Sequence, residues 1–191
     1  MRRTPVSKTL PLRPTLKALA LLATLAVAGC ATAAKPGNMA VMDASSIPVT
    51  ESDPGYGKIA IGTVAGGQET NPMWTSEVSA ADFETALRYS LQSQGYYSSS
   101  ADAPYRLRAQ LENLEQPMFG ANFTVTSTVL YELEDGDGNV LDEERIRAPH
   151  TTRFGEHLYA TERLRLANEG SIQANIRQYL QHLRQVLHDL E

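Results

Sequence analysis

From Lys58 onward the apolar and polar positions of the chain fall into regular periods, whereas residues 31–57 show none. Ile59-Ala60-Ile61-Gly62-Thr63-Val64 is a short apolar run that stops at Gly66-Gly67, and it predicts a strand. After a long loop, Ser79 stands as a helix N-cap with Asp82 in the place of the acidic capping-box partner, and Val78 can staple onto Phe83. Phe83, Leu87 and Leu91 then repeat every four residues, and Gly95 offers a C-terminal stop, so one amphipathic helix is expected here. Tyr105, Leu107, Ala109 and Leu111 alternate with Arg106, Arg108, Gln110 and Glu112, the period of a strand with one wet face. Phe123, Val125, Ser127, Val129, Tyr131 and Leu133 share one parity of a second alternation. Asp135-Gly136-Asp137-Gly138-Asn139 supplies glycines for a hairpin turn, after which Val140 to Ala148 can return as a charged edge strand that Pro149 ends. Last comes a long helix over 161–190, with Ile172, Ile176, Tyr179, Leu180, Leu183, Leu187 and Leu190 on one stripe. The order β-α-β-β-β-α predicts an α+β two-layer sandwich, a mostly antiparallel four-stranded sheet with two helices on one face.

The amino terminus has a different pattern. Arg2, Arg3, Lys8, Arg13 and Lys17 precede an apolar run from Ala18 to Ala28, with no acid before it. A membrane-spanning helix needs about 20 apolar residues, so this shorter run is the apolar core of an export signal. It leads into Leu25-Ala26-Val27-Ala28-Gly29-Cys30, which contains the single cysteine of the chain. One cysteine excludes disulfide scaffolds and Cys-rich zinc sites. The segment resembles the lipobox of bacterial lipoproteins, and the resemblance implies cleavage between Gly29 and Cys30, with diacylglycerol on the thiol and acylation of the new amino group. Such a protein has no cofactor besides that covalent acyl anchor. Two or three acyl chains hold a protein at a membrane where a single one does so only marginally. Ala31 follows the cysteine where lipoproteins kept in the inner membrane commonly carry Asp, so the resemblance implies an outer-membrane, periplasm-facing location. The organisation expected is a signal over 1–29, the lipidated cysteine and a flexible tether over 30–57, and one domain over 58–191. A random coil of that tether's length spans roughly 26–31 Å.

Charge then narrows the partners. The whole chain has 17 basic and 22 acidic residues, a net of −5, and removal of the signal leaves 12 against 22, a net of −10. No nucleic-acid partner is expected from so acidic a domain, and the acyl chains must do the anchoring without help from anionic lipid.

The lipobox, the unpatterned segment, this order of elements, Ala86-Leu87-Arg88 to Gly95 in the first helix and the long final helix together resemble lipopolysaccharide-assembly lipoproteins of the LptE type. The YajG and TolB-amino-terminal type of periplasmic α/β module is similar as well. Either resemblance implies binding or scaffolding of an envelope protein or lipid, not chemistry.

Local motifs of catalysis are missing from the sequence: there is no Gly-x-Ser-x-Gly elbow, His-Glu-x-x-His pair or phosphate-cradling glycine loop. In the acidic turn, Val140 and Ile146 replace the glycine and glutamate of a calcium loop, so a turn is the reading. His150, His157, His182 and His188 have no tight ligand spacing and read as solvated; no metal site is expected. Two places remain as partner-binding candidates. Met73 and Trp74 sit in a polar loop, with Trp74 the only tryptophan. On the last helix, the apolar stripe turns polar when extended back to Arg165, Asn168 and Glu169, which predicts an overhang joined to a polar network or a partner surface. Alternatives to the scaffold are an auxiliary lipid-binding lipoprotein of an envelope transporter, marked by an apolar cavity between sheet and helices, and a small periplasmic enzyme. In the enzyme, Glu169 would meet His150 or His157 in a cleft containing a carboxyl of raised pKa.

Overall fold

A computed structural model describes residues 32–42, 49–69 and 76–190. The predicted signal, Gly29 and Cys30, and the loop residues Met73 and Trp74 lie outside the described residues. The described elements are a one-turn helix α1 (Pro36–Met39), β1 (Ile59–Gly66), α2 (Ala80–Ser93), β2 (Tyr105–Glu115), β3 (Phe123–Asp135), β4 (Val140–Thr152) and α3 (Ala160–Asp189). The sheet has the order β1-β2-β3-β4, with β1 parallel to β2 and the other two pairs antiparallel. A parallel neighbour needs a crossover, which α2 provides. Both long helices lie on one face, as the α+β sandwich predicts.

Local chemistry forms α2 as expected. The Ser79 hydroxyl accepts from the Asp82 amide at 3.1 Å and donates to the Asp82 carboxylate at 2.8 Å. At the other end Gly95 has φ +83°, with Tyr96 N–H on the Leu91 carbonyl and Gly95 N–H on that of Gln92, the two bonds of a Schellman stop. In the β3–β4 turn the Asp135 carboxylate accepts from the amides of Asp137 and Asn139 and from Asn139 Nδ2, and those bonds hold its pKa below the usual range. Only Gly138 of the two turn glycines has positive φ, +87°.

One strand expectation is corrected. β4 does not end at Pro149 but continues to Thr152, with Pro149 opposite Thr126. An edge strand tolerates this proline because an amide that points away from the sheet has no ladder bond to lose. In β2 the expected alternation holds from Tyr105 to Glu112, and beyond it the register shifts between Leu111 and Asn113. Such a bulge turns the following residues over, and Leu114 thereby packs inward.

Between helices and sheet lie two apolar clusters. The larger contains Phe83, Leu87, Leu91, Leu107, Tyr131, Ile172, Ile176 and Leu183, with Tyr131 and Tyr179 stacked at a 4.0 Å centroid separation. Burial leaves both phenols far less acidic than a free tyrosine. Phe123, Val125, Leu164 and Ala167 form the smaller one. Ser127, Ser171 and Asn175 occupy the intervening positions of β3 and α3. Ser171 Oγ donates to the Ala148 carbonyl at 2.8 Å and accepts from the Ser127 amide at 2.8 Å. Asn175 Nδ2 donates to the Ile146 carbonyl at 3.0 Å while its Oδ1 accepts from Tyr131 Oη at 2.9 Å. Buried polar groups so paired cost little and fix the helix in one register on the sheet.

Gly170 belongs to the same close approach. A Cβ there would lie 2.3 Å from Cδ2 of His150, so the half-buried imidazole rests against the helix backbone. His182 is likewise engaged, at 2.9 Å from the Asp142 carboxylate. Alanine normally favours a helix over glycine by about 1 kcal/mol, whereas overpacking costs about 1–3 kcal/mol. Gly170→Ala should therefore lower the urea midpoint, and adding His150→Ala should restore it.

The segment read as a flexible tether is largely part of the domain. Ala34, Met39, Ala40, Val41 and Val49 are buried, and α1 packs against both α2 and α3. Backbone bonds run from Ala34 to Glu77 and from Val49 to Gln94, and the Val41 amide donates to Ser90 Oγ at 2.9 Å. The apolar side chains of residues 34–41 show no period because they follow the groove between two helices, which is neither a strand nor a helix environment.

Candidate functional site

One end of the molecule collects most of the unusual chemistry. Glu169 and Arg165 are buried on α3 and paired, and Arg165 also binds Glu162 at 2.6 Å. Glu169 Oε1 accepts from the Lys35 amide at 2.8 Å and its Oε2 from Asn38 Nδ2 at 2.9 Å. Asn168 Nδ2 donates to the Ser76 carbonyl at 2.7 Å, and Ser76 Oγ donates to the Thr32 carbonyl at 2.7 Å. Thr32 Oγ1 also donates to Glu162 Oε1 at 3.0 Å. The polar network expected around Arg165, Asn168 and Glu169 thus exists, and its partners are the protein's own segment 32–38 and Ser76. Those three side chains do not face another molecule as a free surface.

Glu162 has its pKa lowered, first by hydrogen bonding from Arg165 and next, against the cost of burial, by Thr32. A carboxyl whose folded pKa lies below its unfolded value adds stability that is present above about pH 4.5 and is lost as pH falls through the folded pKa. Acid should therefore release Thr32 from α3 before the sheet melts. Amide exchange of Ala34, two residues on from Thr32, followed from neutral pH downward checks this; unchanged protection down to global unfolding would refute it.

Beside the network, Arg163 is buried under the connection from β4 to α3. Its Nη1 donates to the carbonyls of His157 at 2.7 Å and Leu158 at 2.9 Å. The guanidinium lies over the rings of Phe123 and Phe154, at 5.4 and 5.0 Å. Arg153 N–H donates to Glu156 Oε1, and Phe154 N–H donates to Asn122 Oδ1 at 3.0 Å, so this connection is tied to the β2–β3 loop. Gln116 of that loop donates to the Ser76 carbonyl at 3.0 Å. Around these ties stand exposed apolar side chains: Met118 (94%), Phe119 (86%) and Leu158 (83%), with Tyr159 and Phe154 more than half exposed. Periodicity missed them because they lie in loops, where single apolar residues have no phase to read.

Away from this end, a surface groove of about 630 Å³ runs along β1 and β2, lined by Ala60, Gly62, Arg88, Tyr97, Arg106 and Arg108 among others. Its cations are engaged: Arg88 with Glu84, Arg108 with Glu134, Arg106 with the Ala101 carbonyl. Wherever a carboxyl shift is resolved, at Asp53, Glu112, Asp135 and Glu162, it is downward, which favours the charged form and not a proton donor. Among the described residues no cluster of three metal-binding side chains occurs, and no helix is long and apolar enough to cross a membrane.

No family model matches the sequence, and no curated protein matches it. The fold does have counterparts among solved structures. Protein XCC0632 of Xanthomonas campestris, assigned to family DUF330, superposes with a TM-score of 0.57 at 10% identity, covering 74% of this chain and 92% of that one. Protein CT253 of Chlamydia trachomatis gives 0.50 at 12% identity, over 69% and 98%. A Caulobacter crescentus protein provisionally described as a lipoprotein gives 0.50 at 16% identity, over 72% and 95%. At these identities the likeness is one of fold, and the chain shares the α+β architecture of these three bacterial proteins.

Proposed function

We propose that this protein is a lipoprotein of the bacterial cell envelope, acylated on Cys30, whose α+β domain binds or scaffolds another envelope component without catalysis. The observation that carries the reading is Leu25-Ala26-Val27-Ala28-Gly29-Cys30 at the end of a basic-then-apolar leader, followed two residues later by the ordered domain. The fold shared with a Caulobacter protein described as a lipoprotein supports it. The absence of Asp after Cys30 favours the outer membrane, and the resemblance to LptE-type proteins favours a role in outer-membrane or lipopolysaccharide assembly. An auxiliary lipid carrier is less well supported, since stacked Tyr131 and Tyr179 and the surrounding aliphatics fill the space between helices and sheet.

Metabolic labelling with an alkynyl palmitate tests the anchor. Label should enter the wild type and be lost in Cys30→Ala, and an inhibitor of the lipoprotein signal peptidase should accumulate the precursor. A wild-type chain without acyl mass would overturn the reading. Affinity purification of the anchored protein then seeks the partner: an outer-membrane barrel or lipopolysaccharide supports the assembly role, and neither in the eluate counts against it.

A further inference from the structure

From the geometry of the anchor-proximal end we infer that Met118, Phe119, Phe154, Leu158 and Tyr159 form a membrane-contact surface that rests in the interface of the bilayer holding the Cys30 acyl chains. The inference rests on the lipoprotein reading and goes further, because an anchor alone leaves the orientation of the domain open.

Chain length is the first argument. Thr32 is fixed to Glu162 and Ser76, and Cys30 is two residues away. Two residues span at most about 7 Å, so a bilayer that takes up the acyl chains lies within that reach of the amino-terminal end of α3. The tether of roughly 26–31 Å expected for a coil of residues 31–57 is therefore not available to lift the domain away. Connectivity is the second. Glu162 is adjacent to Arg163, whose guanidinium holds the carbonyls of His157 and Leu158, and Ser76 accepts from Gln116 at the root of the Met118-Phe119 loop. The Met118-Phe119 loop is thus bonded to Ser76, which holds Thr32, and the 153–159 connection is bonded to Arg163, the chain neighbour of Glu162, which also holds Thr32.

Composition is the third. Side chains as large as Met118, Phe119 and Leu158 standing almost wholly in water, on loops braced through Gln116, Asn122 and buried Arg163, are a surface that has a nonaqueous partner. Aromatic rings and Tyr hydroxyls suit the headgroup level of a bilayer. With a net charge of −10 after cleavage, attachment by electrostatics is disfavoured, so this contact is apolar and insensitive to salt and to anionic lipid.

The test uses the acylated protein reconstituted in phosphatidylethanolamine–phosphatidylcholine vesicles, with single cysteines introduced as Phe119→Cys or Leu158→Cys and labelled with an environment-sensitive fluorophore. Leu141→Cys, in the β3–β4 hairpin at the opposite end of the sheet, is the control. The expected result is a blue-shifted emission at positions 119 and 158, quenched by spin-labelled lipid and not by iodide, while position 141 is quenched by iodide alone. High salt should leave the pattern unchanged. Quenching of all three labels by iodide in protein that co-floats with vesicles would overturn the membrane contact and leave the anchor standing. Shielding of 119 and 158 from both quenchers would overturn it in favour of a protein interface. Protein without acyl mass that fails to float would instead refute the lipoprotein reading itself.

Discussion

Gly66→Ala is expected to destabilise the domain by more than about 3 kcal/mol, beyond the roughly 1–2 kcal/mol that left-handed backbone alone costs a residue with a Cβ. Gly66 has φ +81°, and a Cβ built on it lies 2.0 Å from the Leu111 carbonyl oxygen. That oxygen belongs to the paired backbone of β2 and accepts from the Gly67 amide, so it cannot yield without opening the β1–β2 ladder. Gly67 follows with φ +72° and a Cβ position 2.3 Å from the Val78 carbonyl oxygen, so the turn cannot relax through its neighbour. Urea denaturation should show a lower midpoint with the slope retained. Gly136→Ala, where nothing lies within 4 Å, is the control and should stay within about 0.5 kcal/mol of wild type. Equal midpoints for the two variants would refute the clash.

Glu169→Ala should cost about 3–5 kcal/mol, the range for breaking a buried ion pair from one side. It leaves the Arg165 guanidinium buried with only Glu162 as counter-ion, and strips the Lys35 amide and Asn38 Nδ2 of their acceptor. The loss is local in origin, so residues 32–41 should become protease-sensitive at denaturant concentrations where the sheet is still folded. Glu169→Gln keeps an acceptor for Lys35 or Asn38 and should lose less. In the anchored protein the freed segment would become the flexible tether that the native fold lacks, and a label on Phe119→Cys would then move from lipid to water. A variant that melts as wild type does, with its amino-terminal segment protected, would remove the network from any role in orientation.

Strands and helices were legible in the sequence because each buries one face against a regular neighbour, and regular geometry imposes a period. Phe123, Val125, Ser127, Val129, Tyr131 and Leu133 alternate, and all six are buried. The caps of α2 were legible for a similar reason: Ser79 and Gly95 solve problems set by the backbone within a few residues. What lay beyond local reading required partners distant in the chain. Residues 32–42 give no period because their apolar side chains fill a groove whose walls are α2 and α3, formed by residues roughly fifty to a hundred and forty positions later. Arg165, Asn168 and Glu169 were recognisable as a polar break in an apolar stripe. Whether they met solvent, a partner or their own chain depended on where Lys35, Asn38 and Ser76 came to lie.

Cys30 and its leader needed no fold to be recognised, since an export signal is read as an extended or helical segment before folding. The sequence alone therefore determined the α+β order of the domain, and it carried the expectation of export and of acylation at Cys30. Tertiary structure decided that residues 32–41 are bound along the helices, and that Met118, Phe119 and Leu158 stand exposed at the end where the chain enters. The physical reason is that periodicity records burial against a chain's own regular neighbours, whereas loop side chains and aperiodic segments acquire their surroundings only when the whole molecule has closed.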